Sequence, residues 1–195
     1  VRPAEAAALK AWAEQAGLIR DGGEFFRQWD AQGSMSGAEH AVYFDEESQR
    51  WVKTNNLYFH SHWLEYLHRM LLHNWLFPSV AYRLEGFIEF SPWPESGMPG
   101  VFQPLVSQPH VHALRGASRA EVVRELDQRA AEWVRNDNYR SFDGTLLVED
   151  LHDENALVID ESEAGAPVIA FIDPVIFMTP DTKPARLKIR QSSVS

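Results

Sequence analysis

Cysteine is absent from the 195 residues. That excludes a disulfide framework, a thiol nucleophile and any Cys-ligated zinc, and it fits a cytoplasmic compartment. Also missing is an apolar run approaching the roughly 20 residues of a membrane helix, or an N-terminal basic-then-apolar signal. No membrane partner is expected. Basic residues are scarce, with 18 Lys and Arg against 28 Asp and Glu and a formal charge of −10. This balance excludes nucleic acid as a partner held by charge. Any phosphate site in so acidic a chain must import positive charge through a metal ion, a few local Lys or Arg, or backbone N–H groups. The first residue, Val1, is not Met, which points to a fragment of something longer.

What is present is an ordinary globular balance, 45% hydrophobic and 24% charged, enough for one good core or two small lobes. Seven Trp and eleven Phe assign much of the burial to large side chains. Residues 3–18 predict a helix, with Ala8, Leu9, Trp12 and Leu18 on its apolar stripe. Residues 21–38, punctuated by Gly22-Gly23 and Gly33 through Gly37, predict a loop. Residues 41–45 and 50–54 predict two strands joined by the acidic turn Glu46-Glu47-Ser48. Residues 57–77 carry the strongest helical period, through Trp63, Tyr66, Leu67, Met70, Leu71 and Trp75, until Pro78 stops them. His60, His62, His68 and His73 crowd this stretch without the i, i+4 spacing of a helical zinc site, and predict surface or capping groups. Residues 81–90 and 101–107 predict an antiparallel pair around a Pro- and Gly-rich connection bearing Trp93. Ser118, with Glu121 in the capping-box position, opens a predicted helix to Trp133 whose stripe is Val122, Val123, Leu126, Ala130 and Trp133.

The stretch from Leu146 to Asp160 holds two apolar runs around a polar loop that carries Asp150, His152 and Asn155. A third run, Val168 to Ile172, ends in Asp173-Pro174. A carboxylate closing an apolar strand is costly unless it is paired or metal-bound, which makes Asp173 informative. Two carboxylates and an amide in this order suit phosphoryl transfer, where oxygen donors hold magnesium and an acid accepts a hydroxyl proton.

At these residues the chain resembles the protein-kinase-like superfamily. Asp150-x-x-x-x-Asn155 is similar to the kinase catalytic loop, and Ile172-Asp173-Pro174 stands where the magnesium-binding Asp-Phe-Gly would be. A narrower resemblance is to the serine/threonine/tyrosine kinase-like domain of phage polyvalent proteins. It rests on Gly37-Ala38-Glu39-His40-Ala41-Val42-Tyr43-Phe44-Asp45, Glu65-Tyr66-Leu67 with His73-Asn74, Leu84-Glu85-Gly86-Phe87, and Ser107-Gln108-Pro109. The resemblance implies an α+β, two-lobed fold with an antiparallel-sheet N-lobe and a minimal, truncated C-lobe. An N-terminal helix and loop would occupy residues 1–36 and the kinase-like domain 37–178. Within that domain the N-lobe would span about 37–107, the hinge 108–112 and the C-lobe 113–178, with a polar tail over 179–195.

The same resemblance implies ATP and Mg²⁺ as cofactors, and a small molecule or protein as acceptor. Asp150 and Lys53 would be catalytic. Gly37, Val42, Lys53, Glu65, Gln108, His110 and Leu157 would surround the nucleotide, with Glu65 or Glu39 pairing Lys53. Asn155 and Asp173 would bind the metal. The chain also departs from the pattern. Of the three glycines of a kinase phosphate loop only Gly37 is kept, the other positions being Met35 and His40. Val148 and Glu149 replace the usual residues ahead of the loop Asp. A nucleotide-binding pseudokinase or interaction domain therefore stands as an alternative. So does a hydrolase using Asp150, His152, Asp153 and Asp173 as a metal site.

Overall fold

Val52 and Lys53 are neighbours on one strand and face opposite sides of a sheet. That alternation organises the first half of the computed structural model. The structure describes residues 3–31, 35–36, 40–58, 60–91, 100–128, 131–141, 144–161 and 166–179. The chain divides into two compact units, Val1–His110 and Val111–Ser195.

In the first unit the elements are α1 (Pro3–Gln15), β1 (Ile19–Asp21), α2 (Gly22–Ala31), β2 (Met35–Ser36), β3 (His40–Asp45) and β4 (Arg50–Asn55). They are followed by α3 (Trp63–Leu76), a single 3-10 turn (Pro78–Val80), β5 (Arg83–Phe90) and β6 (Val101–Pro109). Among the described residues the strands form one six-stranded sheet in the order β1-β5-β6-β4-β3-β2. The chain alternates across β3 to β6 so that one face meets α1 and α3 and the other meets α2. On the α2 face Val52, Ile88 and Leu105 pack with Phe25 and Trp29. On the opposite face Phe87 packs with Ala13, Leu57, Trp63 and Tyr66.

Several expectations are corrected here. Residues 22–31 are helical rather than loop, because Phe25, Phe26 and Trp29 recur at helical spacing and bury against the sheet. Asp21 starts that helix, its carboxylate accepting from the Glu24 N–H at 2.8 Å. The sheet is not purely antiparallel, since β1 runs parallel to β5. The helix expected from Leu57 begins only at Trp63. Asn55 and Asn56 accept from the N–H groups of Leu57 and Tyr58 and hold the chain in turns instead. His62 then caps α3 by accepting from Glu65 N–H at 3.0 Å. The stripe of α3 is rotated relative to the sequence reading. Trp63, Tyr66 and His73 are buried, whereas Leu71 and Trp75 are 66% and 71% exposed. His60 is buried too, so of the four histidines only His62 and His68 lie towards the surface as expected.

Gly86 fits only as glycine. Its φ is +138°, and a Cβ would strike the Leu18 carbonyl. Phe87 N–H donates to that same carbonyl at 2.8 Å, which fixes β1 against β5 at a bulge between Leu84 and Gly86. Two of the family stretches meet next to it. Arg50 Nε donates to Ser107 Oγ at 2.7 Å, and Ser107 Oγ donates to Glu85 at 2.6 Å.

The second unit contains β7 (Arg115–Gly116), α4 (Arg119–Gln128), β8 (Ala131–Arg135), β9 (Asn138–Ser141), β10 (Leu146–Glu149), β11 (Ala156–Asp160), β12 (Val168–Phe171) and β13 (Val175–Met178). Among the described residues these strands form two sheets, β13-β10-β9-β8 and β12-β11-β7. The capping box on α4 is present, with Ser118 N–H and Oγ both donating to Glu121. Arg115 also grips Glu121 with both nitrogens of its fork, at 2.7 and 2.9 Å. These bonds hold the Glu121 carboxyl far below the usual range. The helix is shorter than expected. It ends at Gln128, and Trp133 falls on β8. Asn136, at φ +48°, turns β8 into β9.

The two runs flanking the polar loop are strands as expected, but β10 and β11 belong to different sheets. Their neighbours are β13 and β12 respectively. The strand β13 follows Pro174 closely and was not anticipated. The connection around Trp93 and the polar end, residues 180–195, lie outside the described residues. Among the described residues no helix is long and apolar enough to cross a membrane.

Candidate active site

Lys53 sits on β4, near the middle of the sheet, and is 7% exposed. Strand alternation puts it on the α3 face. Val42 stands directly opposite it on β3, and Gln108 stands opposite Trp51, two residues before it. Val42, Lys53 and Gln108 therefore share one face. Trp51 joins His110 to that group, its indole N–H donating to His110 Nδ1 at 3.0 Å. Phe44 lies against both rings. Gln108 is buried and donates its amide to the Val80 carbonyl at 2.9 Å.

His110 N–H donates to the Gln49 carbonyl at 3.0 Å, and Pro109 has no N–H. Glu65 also behaves differently from the resemblance. Its carboxylate takes Arg69 at 2.5 Å and the Ser61 N–H at 2.9 Å. Burial opposes its ionisation, but the Ser61 N–H, Arg69 and His60 together hold it below the usual carboxylate value. Its partner is thus the next turn of its own helix rather than Lys53. The Lys53 ammonium lies 5.4 Å from the centre of the Tyr82 ring, within cation–π range. Sequence reasoning missed Tyr82. A single aromatic after a helix stop has no spacing that points to a lysine on a distant strand. Gly37 and Glu39 lie outside the described residues.

In the second unit the loop between β10 and β11 closes on itself. Asn155 Nδ2 donates to the Asp150 carbonyl at 3.0 Å and to its carboxylate at 3.2 Å. Asp150 is at φ +66°, a left-handed conformation that Asp tolerates better than most residues. Its side chain is 56% exposed. His152 Nε2 lies 3.5 Å from Asp150 and 3.2 Å from Asn155 Nδ2. Glu154 N–H donates to His152 Nδ1 at 3.2 Å. Leu151 is buried and anchors the loop from below. Gly116 lets the loop cross β7 closely, since a Cβ there would lie 2.6 Å from the Asp153 carbonyl.

The third residue arrives by strand register. Ala156 pairs with Phe171, and Ile172 N–H donates to the Asn155 carbonyl at 2.9 Å. Asp173, half-buried, is therefore one residue beyond the partner of Asn155. Leu157 follows on β11 opposite Ala170. Thus Asp150, Asn155, Leu157 and Asp173 belong to one unit, while Val42, Lys53, Glu65, Gln108 and His110 belong to the other. Both proposed metal donors are hard oxygens of the kind magnesium takes. The amide nitrogen of Asn155 faces Asp150. Among the described residues no group of three or more His, Asp and Glu could hold a metal, so the alternative hydrolase cluster gains no support.

A helix-backed sheet with a buried lysine, and a second unit with an acid-and-amide loop beside a strand-end acid, have the make-up of a kinase-like phosphotransferase. The family model described as "Serine/Threonine/Tyrosine Kinase found in polyvalent proteins" matches residues 2–180, and the chain belongs to that family. The match takes in α1 to α2 as well as the elements after them. No curated protein and no solved structure matches the chain.

Proposed function

We propose that the chain binds Mg-ATP and transfers the γ-phosphoryl group to the hydroxyl of a small-molecule or protein acceptor. The observation that carries this reading is the coupling of Asp150, Asn155 and the Asp173 turn through one loop and one strand pair. Asp150, exposed and held by Asn155, would accept the acceptor hydroxyl's proton. Lys53 would neutralise phosphate oxygens, and Val42 on the same face would flank the nucleotide. Asn155 and Asp173 would hold magnesium, which offsets charge on the phosphates. That ion matters in a chain carrying a formal charge of −10.

The test is thermal melting with and without Mg-ATP, on the wild type and on Asp173→Ala. A ligand that binds only the native state raises Tm, by an amount set by its concentration relative to Kd. A clear rise in the wild type that Asp173→Ala abolishes supports the reading. No rise, or an equal rise in the variant, overturns it. One observation favours a second reading, a pseudokinase or interaction domain. Met35 and His40 stand where a phosphate-cradling loop would have glycine. In that case ATP would bind without turnover, or not at all.

A further inference from the structure

The α3 face of the first sheet carries two adjoining rows of side chains. Phe44 stands opposite Trp51, and Trp51 opposite Gln108, in one row across β3, β4 and β6. Val42, Lys53 and Val106 make the next row on the same face. Two residues of strand, about 6.6 to 6.8 Å, separate the rows. None of these six side chains is a carboxylate, in a chain with 28 Asp and Glu. The first row is aromatic, and His110, just past the end of β6, extends it. The ring of Phe44 lies 5.2 Å from that of Trp51 and 5.0 Å from that of His110, centroid to centroid. The Trp51 indole N–H donates to His110 Nδ1 at 3.0 Å, which fixes the plane of the indole. Phe44, Trp51 and His110 are all half-buried, so each keeps part of its surface open, whereas Lys53 and Val106 are buried.

We infer that Trp51, steadied by Phe44 and His110, is the stacking platform for the nucleotide base, one row from the lysine that meets its phosphates. The inference rests on the proposed role of Lys53. A base and its phosphates are joined through one ribose, so a π surface for the first and a cation for the second must lie close together. The two rows supply them side by side on one face. Stacking on an aromatic ring holds any base, because every base has a π face. Large rings also provide this contact at low conformational cost, having few bonds to fix. Trp51 is already held by its bond to His110, so little ordering remains for the ligand to impose.

The experiment measures the affinity of the whole chain for Mg-ATP, Mg-tripolyphosphate and adenosine by titration calorimetry. The first two ligands share a triphosphate, and only the first and third carry the base. Wild type should hold Mg-ATP at least about tenfold more tightly than Mg-tripolyphosphate. Trp51→Leu should erase most of that advantage and leave tripolyphosphate within about twofold of wild type. Trp51→Phe keeps a ring and should retain most of the advantage. A packing role alone would weaken both phosphate ligands equally, and that result overturns the inference. So does a wild type that binds the two alike, a result that leaves the role of Lys53 intact and needs no variant to fold. If neither phosphate ligand binds, the nucleotide reading fails separately and adenosine decides the platform. Adenosine binding that Trp51→Leu abolishes supports it, and no adenosine binding refutes it.

Discussion

Asn155 gives its side-chain amide to two oxygens of Asp150, the main-chain carbonyl at 3.0 Å and one carboxylate oxygen at 3.2 Å. One residue therefore sets both the curvature of the loop and the direction of its acid. The same residue receives the Ile172 N–H on its own carbonyl, so loop, acid and Asp173 turn are fixed relative to one another.

Replacing the acid should separate chemistry from binding. Asp150→Asn leaves a carbonyl for Asn155 to donate to but removes the proton acceptor. Turnover of ATP is expected to fall about 10²- to 10⁴-fold, with Kd for Mg-ATP changed by less than about threefold. Wild-type turnover in this variant would remove Asp150 from the chemistry.

Gly116 tests whether loop placement matters independently of its side chains. An added Cβ would lie 2.6 Å from the Asp153 carbonyl, so Gly116→Ala pushes the loop without touching Asp150 or Asn155. Displacement on the order of 1 Å can reduce a rate by about 10²-fold. Steady-state kinetics together with an unchanged far-ultraviolet circular dichroism spectrum would register this, and an unaffected rate would show that the loop tolerates the shift.

Gly86 tests the first unit. Gly86→Ala meets both a φ of +138° and the Leu18 carbonyl, at the point where β1 joins the sheet. A loss of about 3 kcal/mol is expected from such strain, measured as a lowered urea midpoint. A change below about 0.5 kcal/mol, ordinary for a surface site, would mean that β1 is not held there.

Glu65 predicts a pH dependence. Its native value is lowered, against the opposing effect of burial, by the Ser61 N–H, Arg69 and His60. A depressed carboxylate contributes stability that is complete above its unfolded value, about 4.3, and is lost as pH falls through the lower native one. Arg69→Met should therefore lower stability near neutral pH and have little effect once the carboxyl is protonated in both states. Thermal melts between about pH 3 and 7 will show the two curves converging at the acid end. Parallel curves would remove the pair from the acid response.

Three strands of the second unit were legible because short β-branched runs bounded by polar residues have few alternatives. Residues 146–149, 156–160 and 168–171 form strands where the pattern put them. The pattern could not say that β10 and β11 enter different sheets, since pairing depends on partners distant in the chain. Helix α2 was missed because paired glycines read as a loop, although Phe25 and Trp29 repeat at helical spacing. The stripe of α3 was misread because Leu71 and Trp75 satisfy the helical period as well as the buried residues do. Periodicity gives a face, and only packing says which face meets the sheet.

From the sequence alone came the order of chemical groups: a lysine on an early strand, then an acid-and-amide loop, then an acid closing a later strand. Short-range chemistry is enough for that, because spacing and local preference are properties of neighbouring residues. Tertiary structure alone decided which groups touch. It gave Glu65 to Arg69, brought Tyr82 beneath Lys53, and tied Asn155 to Asp150 and to Ile172. Those contacts depend on register between strands and on the rotation of a helix about its axis, and neither is encoded within any single stretch of the chain.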